Sequence, residues 1–279
     1  MKSQGYNVVK KAIAKYLAEG KRYDGRTAFE LRDIEVKTDV SVNAESSVSV
    51  KIGETEVVAG IKMGLQEPYP DHENEGTMMT GIELLPMGSP KFDYGPPTIQ
   101  AIETSRVIDR GIRESGFVDF KGLCIKPGEK VWNVFIDMAV INHDGNLLDA
   151  GALAAVIALR LAKMPNYDEK TQTIAKGWSD KPLPLVEDKM PITVTMHKVG
   201  EKALVDPTLD EESASEGRLT IEISQPKGAK EPMISAMQKG GEATLGIDEA
   251  DGLIQEAGKL FKQLSDRVNE EVKKAQKAK

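Results

Sequence analysis

Cysteine, histidine and aromatic residues are all scarce in this 279-residue chain: one Cys, three His, and 5% Phe, Trp and Tyr together. The lone thiol, Cys124, permits neither an internal disulfide nor a thiolate metal cage, which fits a cytoplasmic, reducing setting. Flanked by Leu123 and Ile125, it reads as a buried small hydrophobe rather than a nucleophile. His72, His143 and His197 fall in separate segments without HxH, HExxH or HxxxH spacing, so no metal site is expected. Glycine loops that cradle phosphate are missing as well. No Gly precedes a Lys-Ser or Lys-Thr pair, no GxGxxG follows a strand, and there is no GxSxG elbow. No cofactor is expected on these grounds. Long apolar runs are absent: Ala150–Leu159, the longest, is about half of what a bilayer span requires. Residues 1–20 read as an amphipathic helix and not as an export signal, so no membrane partner is expected. Basic charge is also in deficit. Thirty-seven Lys and Arg against 44 Asp and Glu leave −7, so binding to nucleic acid needs a local basic stripe.

What remains is the composition of an ordinary globular protein, 40% hydrophobic and 29% charged, long enough for two domains or one large one. Asn7–Glu19 places Val8, Val9, Ala12, Ile13, Tyr16 and Leu17 at helical spacing, with Gly20 as the stop. Lys21–Thr27 is a basic turn. The period then becomes two: Ile34 and Val36, Val40 and Val42, and Val48, Val50 and Ile52 read as strand faces of an antiparallel meander, with Gly53-Glu54 turning into Thr55–Ile61. Gly64–Pro97 is rich in Pro, Gly and acids around one strand at Met78–Leu85, a composition that suits a partner-facing segment. Thr98 caps a helix whose face is Ile99, Ile102, Val107, Ile108 and Ile112. Lys130–Ile141 alternates as a central strand, His143-Asp144-Gly145 turns the chain, and Leu147–Lys163 is an Ala-rich helix. Met164–Pro191 shows prolines and little periodicity. Strands return at Ile192–His197, Lys202–Val205 and Arg218–Ser224, and a helix from Ile247 to about Lys274 docks its apolar stripe on the protein's own sheet. The expected class is α+β in two parts, 1–165 and 192–279, joined by a linker at 166–191.

Two constellations carry chemistry. Arg106, Arg110 and Arg113 lie at i, i+4 and i+7, one stripe over two helical turns. Guanidinium groups in such a comb suit the phosphates of a single strand. The competing reading is a solvated face neutralised by Glu103, Asp109 and Glu114, three or four residues away. The second constellation is the acidic stretch 204–212, where Asp206 ends a strand with more acids one turn later. Such a stretch could hold Mg²⁺ beside a reacting phosphate, or be an ordinary acidic loop.

Arg22-Tyr23-Asp24-Gly25-Arg26, the Val-rich meander, 101–110, the strand 132–140 and Asp149-Ala150-Gly151 together resemble the RNase PH family, in consistent order over residues 20–240. The resemblance implies an RNase PH-like fold. Its first part is like domain 2 of ribosomal protein S5, with mixed and antiparallel sheets packed by helices, and a smaller βα part follows. It also implies 3′-to-5′ phosphorolysis of RNA. Active members hold phosphate with a Ser or Thr followed by Arg after the glycine that matches Gly151, where this chain has Ala152 and Leu153. Groups that cannot donate replace a hydroxyl and a forked cation, and each charged hydrogen bond is worth ~1.5–3 kcal/mol. The paired arginines before 101–103 are Ile99 and Gln100 here. Of the family's paired acids, Asp206 matches and Glu212 nearly does.

Among family members the chain looks most like the non-catalytic ring subunit of the archaeal exosome. By that likeness it alternates with a catalytic RNase PH-like partner in a hexameric ring, under a cap of S1/KH-type subunits. It contributes Arg106, Arg110 and Arg113 to binding single-stranded RNA, with no catalytic residue of its own. The alternative is a self-sufficient phosphate-dependent exoribonuclease that uses Asp206 and Glu212. A third reading takes the likeness as one of fold only.

Overall fold

The computed structural model describes residues 4–278; Met1–Ser3 of the expected amphipathic segment and Lys279 of the Lys-rich tail lie outside them. Helix α1 (Gln4–Ala18) precedes β1 (Ile34–Thr38), β2 (Ser46–Ile52) and β3 (Thr55–Gln66), which pair antiparallel in sequence order. The expected meander is therefore present, minus one strand face. Asp39 takes φ 58° and ends β1, so Val40 and Val42 sit exposed in the turn before β2. The same sheet continues with β6 (Lys130–Asn142), antiparallel to β3, and β4 (Thr77–Leu84), parallel to β6. The short β5 (Cys124–Lys126) pairs with one end of β6. Cys124 in it is half-buried rather than buried.

Helices α2 (Ile99–Ser115) and α3 (Leu147–Leu161) pack beside this sheet. Helix α3 is buried almost throughout its length, as a helix apolar on all sides must be. The two helices are closely packed at Gly151, where a Cβ would stand 3.0 Å from Ile108 Cδ1 on α2.

The stretch expected as a linker carries a hairpin, β7 (Lys163–Asp168) and β8 (Thr173–Pro182), and one 3₁₀ turn at Glu187–Lys189. Strand β8 is exposed almost throughout, so no apolar alternation marks it. The second sheet has the order β10 (Lys202–Val205), β9 (Ile192–Val199), β11 (Gly217–Ser224), β12 (Met233–Gly241), all antiparallel. Sequence periodicity missed β12, whose apolar residues are half-exposed at the sheet edge, and the six-residue α4 (Leu209–Ala214). Helix α5 (Ile247–Ala278) buries Leu253, Ala257, Leu260, Phe261, Leu264 and Val268 against α3, β9 and β11, the docking its stripe implied.

One apolar core runs through both sheets, from Val48 and Val57 past α3 to Ile221 and Phe261. A smaller cluster of Ile13, Leu17, Val199, Leu204 and Ala214 seats α1 on the second sheet and α4. Distant segments of sequence thus converge at the acidic stretch.

Candidate functional site

Helix α2 starts as expected, with the Thr98 hydroxyl accepting from the Ala101 amide at 3.2 Å. It ends at Gly116, φ 67°, in the left-handed conformation that suits glycine. Its buried face is Ala101, Thr104, Val107, Ile108, Gly111, Ile112 and Ser115. Ile99 and Ile102, expected on that face, point outward instead, because the buried stripe is set by the residues that meet β4, α3 and the second sheet. The arginines of the other face divide. Arg113 is bound: its Nε lies 3.1 Å from an Asp109 oxygen, its Nη2 donates to the Met78 carbonyl, and it stands over the Phe120 ring. Arg106 and Arg110 are exposed and have no ion-pair partner among the described residues.

Two of the three acids that could have neutralised them are engaged elsewhere. Glu103 turns to Arg218 and Gln238 of the second sheet, and Asp109 accepts from Arg113 and Thr80. Two free guanidinium groups on consecutive turns of a chain of net charge −7 form a local positive stripe.

The acidic stretch has the opposite fate. Asp206, at φ 45°, is wholly buried, and its carboxylate accepts from Arg26, Asn146 and three nitrogens of Arg32, at 2.7–3.0 Å. Burial alone would raise its pKa. The hydrogen bonds and charge of Arg32 outweigh that, and the carboxyl titrates below its usual range. The same pairing raises the pKa of Arg32, against burial. Glu211 is equally enclosed, forked onto Arg22 at 2.6 and 2.9 Å while closing a capping box with Thr208. Glu212 accepts the Asn146 amide at the start of α3. The motif 22–26 therefore serves the fold, with Arg22 and Arg26 clamping the turn after β10. Among the described residues no group of three or more His, Cys, Asp or Glu is arranged to hold a metal ion.

Where the family's phosphate seat would lie, Ala152 and Leu153 face a small void with Leu31, Ile52, Ile192 and Leu264, and Asn146, Asp149 and Thr193 complete its lining. The void measures about 20 Å³, room for about one water and too little for a tetrahedral oxyanion. Ala152 and Leu153 are 4% and 6% exposed. Closure is a consequence of sequence, since methyl and isobutyl groups pack against aliphatic neighbours where a hydroxyl and a cation would demand solvent or an anion.

Sequence reasoning did not single out the polar interior next to this void. Asp149 Oδ2 accepts the Thr195 amide at 3.1 Å, satisfying a β9 donor beyond the reach of β10. Glu222 Oε2 accepts from Thr193 Oγ1 at 2.6 Å. Burial raises both carboxyls, Asp149 to about 7 and Glu222 to about 8, and the Asp149 charge adds to the effect on Glu222. Near neutral pH each is wholly or partly a neutral acid. Only Asp149, within the motif matching the family, carried a signal in the sequence.

Two sheets joined across one buried helix, with an arginine-bearing helix alongside, define the class of a two-part RNase PH-type protein. The chain belongs to the 3′ exoribonuclease family: the model of domain 1 matches residues 30–165 and that of domain 2 matches residues 189–257. It is 46% identical to the exosome complex component Rrp42 of Thermococcus onnurineus over 245 residues, 87% of this chain and 88% of that one. It is 44% identical to Rrp42 of Methanosarcina acetivorans, over 82% and 81% of the two chains. A chain of the Archaeoglobus fulgidus exosome with RNA bound to the active site superposes with a TM-score of 0.84 at 39% identity, covering 95% of this chain and 99% of that one. A chain of an archaeal exosome core gives 0.80 at 36% identity, over 95% and 97%.

Proposed function

We propose that this chain is a structural and RNA-positioning ring subunit of an archaeal exosome, without phosphorolytic chemistry of its own. The observation that carries the reading is the small, mostly apolar void at Ala152 and Leu153, which has no room for an attacking phosphate and whose polar lining groups Asn146 and Thr193 already donate to Asp206 and Glu222. The state of Asp206 adds support. A carboxylate that already accepts from two arginines and an asparagine has no lone pair directed at a substrate or metal. The identity to Rrp42 chains over most of their length supports the assembly: alternation with a catalytic RNase PH-like partner, a cap of S1/KH-type subunits, and work in the cytoplasm. In that ring Arg106 and Arg110 hold phosphates of the entering strand, and Arg113, tied to Asp109, stiffens the helix beneath them.

Filter binding of single-stranded RNA to the assembled complex tests the positioning role. Replacing Arg106→Glu together with Arg110→Glu weakens binding and flattens the dependence of log K on log salt by roughly 1.4, at about 0.7 for each phosphate no longer held. Unchanged affinity and slope contradict it.

A further inference from the structure

The N-terminal end of α2 opens on a cleft of about 330 Å³ that none of the foregoing uses. Its walls are largely apolar (Ile82, Leu84, Pro86, Pro97 and Ala101), and Tyr94 stands at its edge. Tyr94 is 89% exposed, and Ile99 and Ile102, on the helix surface beside it, are 85% and 46% exposed. Tyr94 is more exposed than Tyr16, Tyr23, Tyr69 or Trp178, and its segment is anchored in the core just before it. Phe92, two residues before it, is buried and stacked on His143 with centroids 5.4 Å apart, and Pro96-Pro97 follow after Gly95. The ring thus stands at the surface two residues after a core anchor, with the proline pair beyond Gly95.

The charge around the cleft has a polarity. Glu83 and Asp93 carry carboxylates at its lining, so a phosphate is repelled from it. Positive charge begins one turn further along α2, because Ile102 is followed by Arg106 and Arg110 at four-residue steps, about 6 Å of helix axis each. A ligand that is flat and neutral at one end and anionic along the other fits this order. Both carboxylates can accept hydrogen bonds from an amino group on its neutral end.

We infer that the cleft beside Tyr94 receives a nucleobase of the single strand whose phosphates lie along Arg106 and Arg110, and favours bases bearing an exocyclic amine. The inference rests on the positioning reading of those arginines and adds to it a contact with the bases. Stacking on an aromatic ring is tolerant of sequence, and the acids at the rim supply the bias toward adenine or cytosine over uracil.

The test uses the full chain and fluorescence anisotropy with three ribose-phosphate strands of equal length: oligoadenylate, oligouridylate and an abasic strand. Oligoadenylate should bind at least fivefold tighter than the abasic strand and about two- to threefold tighter than oligouridylate, margins set by roughly one stacked base and one polar contact. Tyr94→Ala should abolish the preference for bases and leave the salt dependence unchanged, while Tyr94→Phe should keep it. Equal binding of oligoadenylate and abasic strands by the native chain overturns the inference, as does a Tyr94→Ala protein that retains the preference. It is also overturned if Tyr94→Ala blocks assembly with the ring partner while the preference persists, because the cleft is then a protein contact. Failure of the arginine reading shows separately, as a salt dependence that the double Arg106→Glu, Arg110→Glu change does not alter.

Discussion

At the scale of single residues, the decisive difference is whether a charge is spent or free. Asp206 and Arg106 both belong to constellations that the sequence marks, yet one is enclosed by five donor nitrogens and the other faces solvent with none of the acids on its helix turned toward it. Asp206→Asn removes a charge from between Arg26 and Arg32 and leaves both guanidinium groups buried without it. The expected cost is about 3–5 kcal/mol in urea unfolding. Protein that folds and assembles should show unchanged ring turnover, whereas a catalytic Asp206 would lose turnover in assembled material.

The buried acids give a pH dependence of definite sign. Glu222 is raised to about 8 in the fold from an unfolded value of about 4.3. Its favourable contribution is complete below the unfolded pKa and is lost as pH rises toward the folded one. Glu222→Gln should therefore match the native Tm near about pH 4.5 and exceed it increasingly up to about pH 9. A gap independent of pH contradicts this assignment. His197 runs the other way. Burial, aided by Arg218, lowers it to about 3, so its contribution is present above the unfolded pKa of about 6.5 and lost as pH falls below that.

At the scale of elements, close approach and open space separate glycines that look alike in sequence. A Cβ on Gly111 of α2 would stand 2.4 Å from the Glu222 carboxyl carbon, so Gly111→Ala must displace either that buried carboxyl from Thr193 or α2 from the second sheet, and should cost about 1–3 kcal/mol. Gly258 of α5 has nothing within 4 Å of that position, and Gly258→Ala should stabilise by about 1 kcal/mol through helix propensity. Urea midpoints of the two variants should move in opposite directions, and movement in the same direction contradicts the packing described. Elements with a buried face and a clear period were legible in the sequence: α1, β1–β3, β6, α3 and α5 lie close to where spacing put them. The hairpin β7–β8 and the edge strand β12 were not, because largely exposed strands need no apolar alternation. The outward turn of Ile99 and Ile102 was equally hidden, since periodicity reports a stripe but not which residues the neighbouring sheet will cover.

At the scale of the whole molecule, the site divides in the same way. The apolar side chains at the family's phosphate-binding positions were legible because they depend only on residue type at Ala152 and Leu153. The fate of the carboxylates was not, because Arg22, Arg26 and Arg32 reach Asp206 and Glu211 across more than 170 residues of sequence. The long-range clamp makes the two parts one unit: the same core joins both sheets, and the motif near residue 22 closes on the acidic turn of the second. Among the described residues no helix is long and apolar enough to cross a membrane.

The most direct test of the central claim is phosphorolysis by the purified chain alone, followed as nucleoside diphosphate released from single-stranded RNA in the presence of inorganic phosphate. The account predicts no release above a protein-free control, and release once the catalytic RNase PH-like partner is added. Phosphate-dependent release by the isolated, partner-free chain would contradict it.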